Sequence, residues 1–147
     1  MPSLARPPDD CARILIAGSN RQFCRELRAS IEAHEDLEVV GIAEKGEEAI
    51  ELAERLSPSL VLMDVAMPGL DGIEAARRIG ELSESPPVVL MTSDNDEINH
   101  RAVGVGAAAY LRKSSDLASL LDFVVEFVAV SPRSSEEASK RQRRAAR

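Results

Sequence analysis

Tryptophan is absent from this 147-residue sequence, and aromatic residues make up only 3% of it. A core built from such a chain is aliphatic, drawn from Leu, Ile, Val and Ala. The same poverty argues against a base-stacking nucleic-acid platform, which needs aromatic faces. Cysteine is also scarce: Cys11 and Cys24 make neither a disulfide framework nor a CxxC metal pair. A reducing, cytoplasmic setting is the expectation. No apolar run approaches the ~18 residues that a membrane span needs. Residues 1–11 carry prolines but no apolar h-region of the kind a secretory signal needs, and they read as a short disordered lead. The two histidines, His34 and His100, stand apart from any metal-binding spacing.

What the chain does have is 44% hydrophobic and 29% charged residues, the balance of an ordinary globular domain. Its length suits one domain with one sizeable core. The charge is unevenly placed. Residues 131–147 carry a net +4, against −11 for the rest of a chain whose total is −7. The basic residues Lys140, Arg141, Arg143, Arg144 and Arg147 crowd the end of that segment, which is expected to be disordered or partly helical because it offers no apolar face to bury. An acidic body with a basic tail informs about partners rather than fold, and the acidic body opposes direct DNA binding.

The stretch Leu60-Val61-Leu62-Met63-Asp64 organises the reading. Four apolar residues run into one carboxylate, and Pro68, Gly69 and Gly72 then turn the chain. Such a run, bounded by turn residues, predicts a strand buried on both faces. In an open parallel sheet, ligands sit beyond the carboxyl ends of the strands. Asp64 is therefore a candidate for chemistry, or else only a cap for the following loop.

Around it, aliphatic runs and helical periodicities alternate. Strands are predicted at residues 13–17, 37–43, 60–64, 88–91 and 107–111. Ser19 and Asn20 offer N-caps to a first helix that reaches about His34 with Phe23, Leu27 and Ile31 on its apolar face. A second helix spans 47–56 and a third ends near Leu82. A fourth is expected over 96–105 and a fifth over 115–130, the latter with Leu117, Leu120, Leu121, Val124, Val125 and Val128 inward. Five strand–helix pairs with short connections predict a doubly wound α/β fold, a parallel sheet with helices on both faces, with no second domain.

Four strand ends then line up: Gly18-Ser19, Asp64, Thr92 and Lys113. A carboxylate, a hydroxyl and an ammonium at one sheet edge suit a phosphoryl group, which the acid accepts, the hydroxyl binds and the Lys neutralises. The segments Arg13–Ile16, Val61–Gly72, Val88–Ser93 and Gly106–Lys113, with the D-x-x-M-P-G-x-D-G signature from Asp64 to Gly72, resemble the receiver domain of bacterial two-component response regulators. The resemblance covers roughly residues 12–130 and implies a flavodoxin-like five-stranded sheet of order 2-1-3-4-5. It also implies Asp64 as phosphoacceptor, Thr92 and Lys113 as phosphate contacts, Tyr110 as an aromatic switch and a histidine kinase as donor. It points to the surface of the fourth helix, fifth strand and fifth helix for a protein partner or a homodimer.

One departure is large. The family normally carries two acidic residues after the first strand, which hold Mg²⁺; here Gly18 and Ser19 stand there, a degenerate acidic pocket. Mg²⁺ is bound through carboxylates together with substrate oxygens and water. Asp9 and Asp10 precede the strand, at its wrong end. Asp71 and Asp94 would help only from loops folded inward. Asp64 is left as the one weak metal candidate. The expectation is a stand-alone, non-enzymatic signalling module with impaired Mg²⁺-dependent phosphorylation at Asp64. Two alternatives stay open: a receiver still phosphorylated by a histidine kinase, and a small-ligand sensor using the Gly18-Ser19-Asn20 turn at a helix N-terminus.

Overall fold

A computed structural model describes residues 11–92, 107–112 and 117–130, with the side chains of Tyr110, Arg112 and Val130 outside that description. Five strands, β1 (Ala12–Ala17), β2 (Leu37–Ala43), β3 (Leu60–Asp64), β4 (Val88–Thr92) and β5 (Ala109–Arg112), pair in parallel in the order β2-β1-β3-β4-β5. This is the predicted doubly wound order. The described helices are α1 (Arg21–Glu32), α2 (Gly46–Leu56), α3 (Gly72–Ile79) and α4 (Leu117–Val130). The helix expected over 96–105 lies outside the described residues, so α4 is the helix expected as the fifth. The lead before Cys11, the tail 131–147, Asp94 and Lys113 also lie outside.

Period-two alternation splits the strands between two cores. Leu15, Val61, Met63 and Leu90 join Ala49 and Ala53 of α2 and Ile73, Ala75, Ala76 and Ile79 of α3. Ile14, Ile16, Leu60, Leu62, Val89 and Met91 join Cys24, Leu27 and Ile31 of α1 and Val124 of α4. β1, β3 and β4 lie inside the sheet with apolar residues on both faces, which is why their sequences are unbroken aliphatic runs. Each fully buried Leu or Ile contributes roughly 1.5–3 kcal/mol, and nine of the largest fully buried side chains are Leu or Ile. The aliphatic core expected from the composition is therefore the main source of stability.

Several boundaries differ from expectation, each for a local reason. Helix α3 ends at Ile79 because Gly80 caps it; Glu81 and Leu82 continue in tighter turns, their amides donating to Arg78 and Ile79. Helix α1 stops at Glu32, with the amide of Ala33 still reaching Ala29. Strand β5 begins at Ala109 rather than 107, and the amide of Ala108 already donates to Val88. Of the two cap candidates before α1, Asn20 serves: its Oδ1 accepts from the Phe23 amide at 3.0 Å.

Helix α2 starts on Gly46, one residue before the expected 47. A Cβ on Gly46 would overlap the carbonyl oxygen of Leu70, so the loop after β3 lies directly against the first turn of α2. At the amino-terminal end of the strands, the Arg13 guanidinium donates to the carbonyls of Leu56 (2.7 Å) and Ser57 (3.0 Å), closing the end of α2, where Ser57 is left-handed (φ 46°).

Candidate functional site

The site forms where β1, β3 and β4 end. Asp64 closes β3, and its Cα pairs with Met91 of β4. The carboxylate is only 5% exposed, and its Oδ1 accepts from the Ala66 amide at 3.3 Å. The chain leaves the strand when the Val65 amide donates to the Met91 carbonyl, and the loop closes when the Gly72 amide donates back to Val65 at 2.9 Å. Gly72 must be glycine here. A Cβ would overlap the Asp64 carbonyl oxygen and stand 2.9 Å from the Val65 Cα. Between them Gly69 turns at φ +75°, a conformation that costs glycine nothing.

Asp71 ends that loop, and its Oδ1 accepts from the Glu74 amide at 2.9 Å as the N-cap of α3. The sequence left open whether Asp71 turns toward the strand ends. In the fold its carboxylate holds a helix terminus. On the outer face of α3, Arg77 grips both oxygens of Glu74 (2.6–3.2 Å) and Arg78 adds a 3.1 Å contact. Hydrogen bonding from Arg77, then from Arg78, holds the Glu74 carboxyl down to about 2.

Thr92 is the last residue of β4, one beyond the strand partner of Asp64, and pairs across with Arg112. It is 3% exposed, and its Oγ1 is the one buried side-chain polar atom among the described residues that makes no hydrogen bond. A buried hydroxyl without a partner is costly. The orphaned group at a strand end marks a place where a polar ligand atom would be accepted. Lys113 follows Arg112 and lies outside the described residues. Tyr110 pairs with Leu90 through its backbone.

The third side of the site is the turn after β1. Gly18 is buried, and its amide donates to the Ala43 carbonyl at 2.9 Å. An ideal Cβ on Gly18 would stand 3.7 Å from Asp64 Oδ2, 3.5 Å from Asp64 Cβ and 3.2 Å from Cys24 Sγ. The Cys24 thiol, 2% exposed, donates to the Gly18 carbonyl at 3.7 Å. Ser19 is exposed. With the amide of Gly18 committed to Ala43 and that of Phe23 to Asn20, two donors of the turn are not offered to an anion, which weakens the small-ligand alternative. Cys24 is the residue that sequence reasoning missed. Cys24, Leu27 and Ile31 are the buried residues of α1, and their spacing of three and four is a helical signal of a buried face.

Among the described residues, no three His, Cys, Asp or Glu side chains lie together as a metal site, and no helix is long and apolar enough to cross a membrane. A divalent oxygen-seeking ion needs several hard donors. Asp64 alone, with glycine beside it and Asp71 tied to a helix end, does not provide them. The described residues do not fit Mg²⁺.

Residues 14–125 match the family model of the response regulator receiver domain. The transcriptional regulatory protein LiaR of Bacillus subtilis is 37% identical over 114 residues, covering 76% of this chain and 54% of LiaR. PdtaR, a transcriptional regulatory protein of Mycobacterium tuberculosis, is 41% identical over 109 residues, 74% of this chain and 53% of that protein. The chain thus spans about half the length of these relatives. Among solved structures, the signal receiver domain of NarL from Mycobacterium tuberculosis superposes with a TM-score of 0.77 at 26% identity, covering 82% of this chain and 98% of that one.

Proposed function

Because the chain belongs to the response regulator receiver domain family, a signalling family, we propose that it is an atypical receiver that takes up phosphate at Asp64 slowly or not at all. The observation that carries this reading is Gly18: a Cβ there would stand 3.7 Å from Asp64 Oδ2, and glycine brings no second carboxylate to that position. Asp64 is the phosphoacceptor position, Thr92 and Lys113 are the phosphate contacts, and Tyr110 is the switch. Without a held cation, the charge that builds on a transferring phosphoryl group lacks its main stabiliser. The output then comes from contact with a partner protein, through β5, α4 and the segment 96–105, with a homodimer as one form of that contact. The unusually apolar sequence of α4 supports that surface: Leu121, Phe123, Val125 and Phe127 are only half-buried. The test is a Mg²⁺ titration followed by NMR at Asp64 and its neighbours. Weak, unsaturated shifts are expected, whereas saturable binding below millimolar concentration overturns the reading.

A second reading keeps a histidine kinase as donor, and Thr92 favours it. Its buried hydroxyl makes no hydrogen bond among the described residues and could donate one to a phosphoryl oxygen. Incubation with a small acyl phosphate and intact-mass measurement separates the two. An adduct lost from an Asp64→Asn variant supports phosphorylation, and no adduct supports the first reading.

A further inference from the structure

We propose that the buried thiol of Cys24 holds position 18 free of a side chain, so that Gly18 and Cys24 together keep a second carboxylate out of the pocket beside Asp64. The inference rests on the reading of Asp64 as a receiver acceptor short of metal ligands.

The geometry is that of three groups around one point. The place where a Cβ of residue 18 would sit is 3.7 Å from Asp64 Oδ2 on one side and 3.2 Å from Cys24 Sγ on the other. The first distance is ordinary contact, so Asp64 leaves room. The second is tighter than a Cβ normally tolerates, so the sulfur must yield by a few tenths of an ångström. Cys24 has little freedom to do so. It is 2% exposed, lies on the inward face of α1 with Leu27 and Ile31, and points its thiol at the Gly18 carbonyl. Close-packed interiors resist even small volume increases. A carboxylate on residue 18 would also lie beside that of Asp64, and two like charges so placed demand a cation. The packing constraint is met by glycine, and the cation demand never arises. Recovering a divalent ion here therefore takes two changes, a carboxylate at 18 and a smaller residue at 24.

The test compares Mg²⁺ titrations, read by NMR, of the wild-type chain, Gly18→Asp, Cys24→Ala and Gly18→Asp/Cys24→Ala. The double variant is expected to bind on the order of tenfold more tightly than Gly18→Asp, since affinity follows the charge and fit of the ligand set, while Cys24→Ala stays as weak as wild type. Equal affinity in the double variant and Gly18→Asp overturns the role of Cys24. Tight binding by the wild type instead overturns the underlying reading of the site. Thermal unfolding gives a metal-free check that holds even where Gly18→Asp fails to fold. Gly18→Ala should lower Tm, and should lower it less in the Cys24→Ala background. An equal loss in both backgrounds also overturns the proposal.

Discussion

Gly72 is packed onto the main chain of Asp64: its amide donates to Val65, and its Cα lies so near the Asp64 carbonyl that no Cβ fits between them. The position of the acidic side chain is thus set by backbone contact, with no side chain to yield. Gly72→Ala is expected to destabilise by about 3 kcal/mol, the upper range for overpacking against a rigid neighbour. Urea unfolding measures it, and a loss under 1 kcal/mol would show that the loop relaxes freely.

Asp71 is expected to matter for folding. Asp71→Ala removes the acceptor for the Glu74 amide and should cost about 1 kcal/mol, as other lost N-caps do. Asp71→Asn, which keeps the acceptor oxygen, should cost less. Equal losses in the two variants would point to the charge rather than the cap.

Thr92→Val removes a buried hydroxyl that has no hydrogen bond among the described residues while keeping its shape. The expected change is from neutral to about 1 kcal/mol of added stability. The same variant should lower any phosphoryl adduct formed at Asp64, read by intact mass.

The Glu74 cluster gives a pH signature. The folded carboxyl titrates at about 2, against 4.5 when unperturbed. The unfolded chain therefore binds more protons between those values. The contribution of Glu74 is fully present above about pH 5 and declines as pH falls toward 2. The Glu74 side chain, followed by NMR, should stay ionised to below pH 3. Denaturant midpoints of Glu74→Gln should fall less steeply than wild type across that acid range.

The strands were legible because their sequences had to be apolar on both faces, and so were the helix faces of Leu27, Ile31, Ala49, Ala53 and Ile79. The placement of Asp64 and Thr92 at the ends of buried strands was legible because each polar residue closes an apolar run. The Gly18–Cys24 contact was not, since it depends on the depth at which α1 crosses the end of β1. Nor was Gly46, whose role comes from the approach of a loop 24 residues later in the chain. Phe123 and Phe127, absent from the expected inner face of α4, stack on one another at 5.8 Å along its flank. An inward-facing spacing pattern carries no information about such pairs.

The close seating of Leu70 on Gly46 also has a mechanical side. The loop that runs from Asp64 to α3 has no clearance at Leu70 in the direction of Gly46, so the first turn of α2 acts as a one-way stop. A displacement starting at the carboxylate must either swing the loop away from α2 or move the first turn of α2 with it. A probe placed at Glu47, whose carboxylate lies 3.7–3.8 Å from where a Cβ of Gly69 would stand, would register the difference between those two motions.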